Sequence, residues 1–393
     1  MVSPELALLA ACCRWPPSSE RQAAVQAAAS STIDWSLFER VVAKHRVAAL
    51  VRDGLRRAAV PVPTEIEGRL RASAAAAART ALAMAQETIR LQRSFDDAEI
   101  PVAFVKGAPL AALAYGDLGL KQSWDIDLLT TPEAALAARR LLETLGYILI
   151  TPAGLNDSSF AILVSFGKEC SVHNADLNIT IDLHWRLIAN PSILPNLNAL
   201  SATRAIEMAG ASVRTLDDVA LLAYLSVHGA QHGWFRLKWL ADVNAILANT
   251  DASDLTPLYR SAVALGAGRT AAVAILLCHR LLGLQLPPML LTELRADIIT
   301  SWIEDVAMLH ITCGHGAGTC RQYSLSDVSL TASHFFLIPG IGHFLSEARL
   351  KWMSPDDRMR VALPGSVHFL YHLIRLPRWA WRFATIQLRR LTA

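Results

Sequence analysis

Apolar residues recur at three- and four-residue spacing through residues 1–97, interrupted at Pro16-Pro17 and at Pro61-Val62-Pro63, so the first quarter of the chain reads as helices. Thr64 to about Asp97 reads as one long helix. Its Ala74–Ala78 run is too small-sided to build a core alone and calls for a close neighbour; on this reading nothing in 1–97 carries chemistry. At Ile100 the period changes. Pro101–Lys106 is a short strand broken by Gly107, Ala108–Tyr115 a helix, Trp124–Thr130 an alternating strand, and Pro132 opens a helix ending at Gly146. Further strands are expected at Tyr147–Ile150, Phe160–Phe166, Glu169–His173 and Asn178–Trp185. From Ser201 the helical period returns and holds to the end. Asp217-Asp218 opens a helix to about Gln231, followed by Phe235–Ala248, 254–265, 268–282 and 288–309. The fold class is therefore α+β and mostly helical: a small mixed β-sheet core at 98–190 between an N-terminal helical region, 1–97, and a C-terminal helical domain, 191–393.

Composition narrows the function classes. With 53% hydrophobic and 18% charged residues the chain is not disordered. Six cysteines without a C-x-x-C pair suit reduced thiols. The opening MVSPELALLAACCRW lacks a secretory pattern, because Glu5 and Arg14 interrupt it, and a cytoplasmic location is expected. Val328–Ser346 is free of formal charge but holds His334, Pro339, Gly340, Gly342 and His343, which favours a buried helix–turn–helix over a membrane span. A net charge of +3 gives no basic track for a nucleic-acid template. The acid-free tail after Asp357 gathers Arg375, Arg378, Arg382, Arg389 and Arg390 among Trp379, Trp381 and Phe383. Such a stretch suits either packing against the fold or peripheral contact with an anionic inner-membrane surface.

Candidate chemistry concentrates in the middle. Asp125 and Asp127, two apart in a strand, put both carboxylates on one face while Ile126 and Leu128 face the other. Two like charges at about 4 Å repel by roughly 1–4 kcal/mol, so the pair wants a cation, and neutralising either is expected to spare the fold and even stabilise it. Asp182, in the alternating Thr180–Trp185, would supply a third carboxylate, and three acids suit Mg²⁺. Lys106-Gly107, at a strand-to-helix turn, suits an anion such as phosphate. Taken singly, a D-x-D strand is a common sheet-edge accident and Lys106-Gly107 an ordinary turn. His228 and His232 lie one turn apart and read as packing or substrate-side groups; His310, Cys313, His315 and Cys320 are irregularly spaced zinc candidates. Lys238 and Asp242 read as an i,i+4 salt bridge.

The blocks FVKGAPLAALAY, WDIDLLTTPEAALAARRLLETLGY and IDLHWRL, with KWLAD at 238–242, Leu363-Pro364 and Tyr371–Arg375, resemble the uncharacterised nucleotidyltransferase family of the DNA polymerase beta superfamily across roughly 98–380. The resemblance makes 98–190 the nucleotidyltransferase core. It implies that Asp125, Asp127 and Asp182 hold Mg²⁺, two ions in all, with Asp182 also activating the attacking hydroxyl. It further implies that Lys106, Gly107, Ala108, Lys121, Ser123 and Lys238 bind the NTP, ATP foremost. Ala108 stands where the superfamily has Ser or Gly, and Lys121 where the family often has Arg, so bidentate phosphate gripping is lost. The implied reaction is transfer of a nucleoside monophosphate from an NTP to an acceptor hydroxyl, with release of pyrophosphate. The acceptor is left open among small molecules, glycan precursors, peptides and proteins. Terminal phosphoryl transfer and noncatalytic nucleotide binding are the alternatives.

Overall fold

The computed structural model describes residues 2–312 and 328–352. Four short helices open the chain: α1 (Pro4–Cys12), α2 (Ser19–Ala29), α3 (Trp35–His45) and α4 (Ala48–Arg57). The side chains of Ser3, Ser18 and Asp34 accept from the backbone N–H groups of Leu6, Arg21 and Leu37, which starts the first three where a cap is available. α5 (Thr64–Asp97) runs the length the sequence predicts. The helix packs against α4, α6 (Ala108–Tyr115) and the turn Leu118–Leu120, and in its alanine run Ala78 lies beside Gly119 of that turn, a close neighbour of the kind small side chains demand.

Seven strands form one mixed sheet in the order β3-β4-β5-β2-β1-β7-β6. They are β1 (Ala103–Phe104), β2 (Asp125–Leu129), β3 (Ile148–Thr151), β4 (Glu169–Asn174), β5 (Ile179–His184), β6 (Thr203–Met208) and β7 (Ala211–Leu216). β2 runs parallel to β5, and β1 parallel to β7; the other pairs are antiparallel. One face carries α5, α7 (Ala135–Thr144) and α8 (Asp157–Phe166). Phe104, Ile126, Leu128, Ile181 and Leu183 point into that layer at 4% exposure or less. Each contributes roughly 1.5–3 kcal/mol, which outweighs the carboxylate repulsion tolerated on the opposite face.

Three expectations change. Phe160–Phe166 belongs to a helix: Asn156 caps it by accepting from the Ser159 N–H at 2.9 Å, and Phe160 and Leu163 share its buried side. Residues 203–216, read as helical, are the β6–β7 hairpin, turned by Ala209 and Gly210 at φ 50° and 76°. The helix expected over 288–309 is two, α13 (Pro288–Arg295) and α14 (Ile298–Thr312), because Asp297 accepts from the Ile299 N–H at 3.0 Å and starts a new turn.

α9 (Asp218–Gln231), α10 (Leu237–Ala248), α11 (Leu255–Ala264) and α12 (Arg269–Leu282) build a second core with α1 and α4. Residues 328–352 form a helix–turn–helix that buries Ser333, Leu337, His343 and Glu347 yet leaves Val328, Ile341 and Leu345 exposed, so its burial is partial. Among the described residues no helix is long and apolar enough to cross a membrane. The arginines of the tail lie outside the described residues, as do Cys313, His315 and Cys320, three of the four zinc candidates.

Candidate active site

The face of the sheet turned away from α5 opens into a cleft of about 450 Å³, closed on its other side by α9 and α10. Strand alternation sets the acids. The β2–β5 register puts Asp127 beside Asp182 and Asp125 beside Thr180, so the three carboxylates expected from the sequence share one wall. Lys106, Gly107, Lys121, Ser123 and Lys238 line the same cleft. Ala108 is buried in the first turn of α6 and is not among the lining residues. Gly107 adopts φ 69°, ψ −133° at the entry to α6, a conformation that disfavours any Cβ, so the turn specifies glycine by backbone shape rather than by lack of room.

The acids are not free. Lys106 Nζ lies 2.8 Å from Asp127 Oδ1, and His184 Nε2 lies 3.2 Å from the same oxygen. Burial opposes ionisation of Asp127, but Lys106 and His184 overcome it and hold the carboxyl far below the carboxylate range. Burial likewise works against the Lys106 ammonium, and Asp127 outweighs it. Asp182 differs. Burial, and then the charges of Asp127 and Asp125, push its carboxyl up against a 2.6 Å hydrogen bond donated by Ser171 Oγ. A carboxyl raised by burial and by neighbouring acids fits a proton acceptor that also awaits a cation.

The helical wall is basic. Lys121 is buried and ion-paired with Asp242, whose other oxygen accepts from Tyr115 Oη at 3.0 Å. Asp242 therefore anchors Lys121, correcting the expected surface bridge to Lys238. Lys238 instead donates to the Gln122 carbonyl at 3.3 Å, and burial, with Lys121 nearby, lowers it to about 7. His228 and His232 pack edge-on at 4.8 Å, with Trp239 stacked 5.1 Å from His232. Burial and the charge of Lys106 hold both rings neutral, which fits the packing reading. Gly229 admits the fully buried Trp234 ring beneath them: a Cβ there would meet it at 2.3 Å.

Several lining residues escaped the sequence reading. Arg46, the left-handed end of α3 at φ 56°, reaches the cleft from the region expected to carry no chemistry, its guanidinium 5.0 Å over the exposed Trp124 ring. Arg236 lacked any local signal. Glu169 and His184 had one, since both sit at polar positions of alternating strands.

Hard carboxylate oxygens on adjacent strands, one carboxyl raised by its neighbours, are a donor set that suits Mg²⁺. Among the described residues no three His, Cys, Asp or Glu donors already converge as a formed metal site, and Asp127 Oδ1 is turned to Lys106 and His184.

The chain matches the family model described as "Uncharacterised nucleotidyltransferase" over residues 31–283, more than half its length. The match begins earlier than the resemblance first drawn, taking in α3 and Arg46, and ends before the blocks at 363–364 and 371–375. No curated protein matches. With the acids, the Lys106-Gly107 turn and the basic helices all inside the matched stretch, the chain belongs to the uncharacterised nucleotidyltransferase family.

Proposed function

We propose that the protein transfers a nucleoside monophosphate from an NTP to an acceptor hydroxyl in an Mg²⁺-dependent reaction. The observation that carries this reading is the pairing of Asp127 with Asp182 across parallel β2 and β5, with Asp125 on the same face, opposite a basic helical wall. Asp125, Asp127 and Asp182 would hold the metal. Bound there, Mg²⁺ supplies charge neutralisation at the attacking and leaving oxygens.

The chain's own groups do the rest. Lys106, freed from Asp127, turns to the triphosphate beside Gly107, while Lys121, Ser123 and Lys238 hold it from the far side. Asp182, with its raised carboxyl, takes the proton of the acceptor hydroxyl. The acceptor oxygen bonds to the α-phosphorus, the α–β anhydride bond breaks, and pyrophosphate leaves. ATP is the first NTP to test.

The decisive experiment incubates the protein with Mg²⁺ and NTP labelled at either the α or the γ position, in lysate that supplies acceptors. Label carried into product from the α position alone supports the reading. Transfer of γ label alone replaces it with phosphoryl transfer, and transfer of neither, with NTP still bound, leaves a nucleotide-binding protein.

A further inference from the structure

Behind the acids stands a second polar row. On β4, Glu169, Ser171 and His173 alternate with buried Cys170, Val172 and Asn174. The register sets Glu169 opposite His184, Ser171 opposite Asp182 and His173 opposite Thr180, and β5 in turn sets Asp182 and Thr180 beside Asp127 and Asp125. Side chains follow the register. Glu169 Oε2 lies 2.9 Å from His184 Nδ1, His184 Nε2 lies 3.2 Å from Asp127 Oδ1, Ser171 Oγ donates to Asp182 Oδ1, and His173 Nδ1 lies 3.1 Å from Thr180 Oγ1.

We infer that Glu169 and His184 are positioning residues that fix the Asp127 carboxylate for the cation, with Ser171 fixing Asp182 in the same way. This rests on the reading of the three aspartates as cation ligands. His184 and Lys106 both meet Asp127 at Oδ1, and Ser171 takes one oxygen of Asp182, so each carboxylate has one oxygen committed to a neighbour and a second that these contacts do not use. Outer contacts of this kind, here two hydrogen-bonding contacts and the Glu169–His184 ion pair, orient ligating groups and tune their affinity. A purely structural role is a poor account of the same atoms. His184 and Asp127 are each 4% exposed in their side chains, and burying charge costs several kcal/mol per ion, whereas apolar side chains would join the strands without that cost. The carboxylate–imidazole–carboxylate chain therefore needs a use that apolar residues lack.

The test uses the full chain and Mn²⁺ as a spin probe, titrated by electron paramagnetic resonance without nucleotide, alongside thermal unfolding. Glu169→Gln and His184→Gln are each expected to weaken Mn²⁺ about 10–100-fold, the usual effect of losing an outer partner. Ser171→Ala shifts it in the same direction, and imidazole added to His184→Gly restores part of the affinity. Should His184→Gln not fold, Glu169→Gln, which keeps size and hydrogen-bonding capacity, decides. Wild-type Mn²⁺ affinity in a folded Glu169→Gln overturns the positioning role while leaving the metal reading intact, provided that Asp127→Asn abolishes binding. If the wild-type chain itself holds no Mn²⁺, the metal reading fails and this inference falls with it.

Discussion

The two walls of the cleft are opposite in sign and alike in strain. The sheet wall crowds Asp125, Asp127, Asp182 and Glu169, and burial and repulsion raise the Asp182 carboxyl. The helical wall gathers Arg46, Lys121, Arg236 and Lys238, and burial and repulsion bring Lys238 down to about 7. Each wall relieves the other only in part: the charge of Asp125 raises Lys238 less than burial and Lys121 lower it, while Asp127 and Asp242 each have an internal counter-charge. A ligand with a cation toward the sheet and an anion toward the helices would relieve both. A metal-bound polyphosphate has that polarity.

The sharpest way to break the comparison is to neutralise acids singly. Asp127→Asn and Asp182→Asn should each lower transfer on the order of 10³-fold, the worth of a few kcal/mol of lost charge stabilisation. Their stabilities should diverge. Asp127→Asn leaves the buried Lys106 ammonium without its counter-charge and His184 without its carboxylate partner, and should cost about 3–5 kcal/mol in denaturant melts. Asp182→Asn removes a carboxylate the fold disfavours and should be neutral or stabilising at pH 7. The sign follows from linkage. A carboxyl raised by folding contributes stability below its unfolded pKa and loses it as pH rises through the folded value, whereas lowered Asp127 contributes above the unfolded value and fails only in acid. The sequence alone, seeing only the repulsion between Asp125 and Asp127, has Asp127→Asn stabilising; a melt no lower than that of the wild type would restore that view.

On the helical wall, Lys121→Met should destabilise by about 3 kcal/mol, since Asp242 then keeps a buried charge with only Tyr115 as partner. An unchanged thermal midpoint would mean that the Lys121–Asp242 pair adds nothing to the stability of the fold. Lys238 should make NTP binding pH-dependent. Lowered to about 7 in the folded chain, it is half-charged there, so NTP affinity should fall above pH 7 by at most roughly tenfold per unit, with proton uptake measurable by calorimetry in buffers of different ionisation enthalpy. Stability of the ligand-free chain should rise with pH from about 7 toward the ordinary lysine range, and Lys238→Met should flatten both trends. The smallest effect belongs to Trp124→Ala. It releases Arg46 from an exposed ring contact worth about 0.5–1 kcal/mol, so melts should fall by no more than that amount.

What the sequence shows of this site is what a strand shows of itself. Period two places Asp125, Asp127 and Asp182 on one face, and the Lys106-Gly107 turn announces its glycine. Residues that meet through tertiary packing give no such sign: Arg46 ends a helix that reads as inert, and Asp242 bonds Lys121 across 121 positions rather than Lys238 beside it. In the fold, the β6–β7 hairpin was hidden because Ala209-Gly210 is not a strong turn pair and Arg204, Glu207 and Arg214 fit a helical surface equally well. α8 was hidden because its apolar run has no polar period, leaving Asn156 and the acidic Asp157 of the first turn as the signals of a helix start.

The pairing of β1 with β7 sets an order of events during synthesis. Thr215 Oγ1 donates to the Phe104 carbonyl at 2.6 Å across 111 positions, and at about 5–20 residues per second the ribosome needs roughly 5–20 s to deliver that partner. Throughout that interval the strand leading into Lys106 has one unsatisfied edge, flanked by Val102 and Val105, both wholly buried in the finished molecule. A nascent chain stalled before Ala211 would present an adhesive ribbon, and the Lys106-Gly107 turn would acquire its final shape only after β7 has emerged.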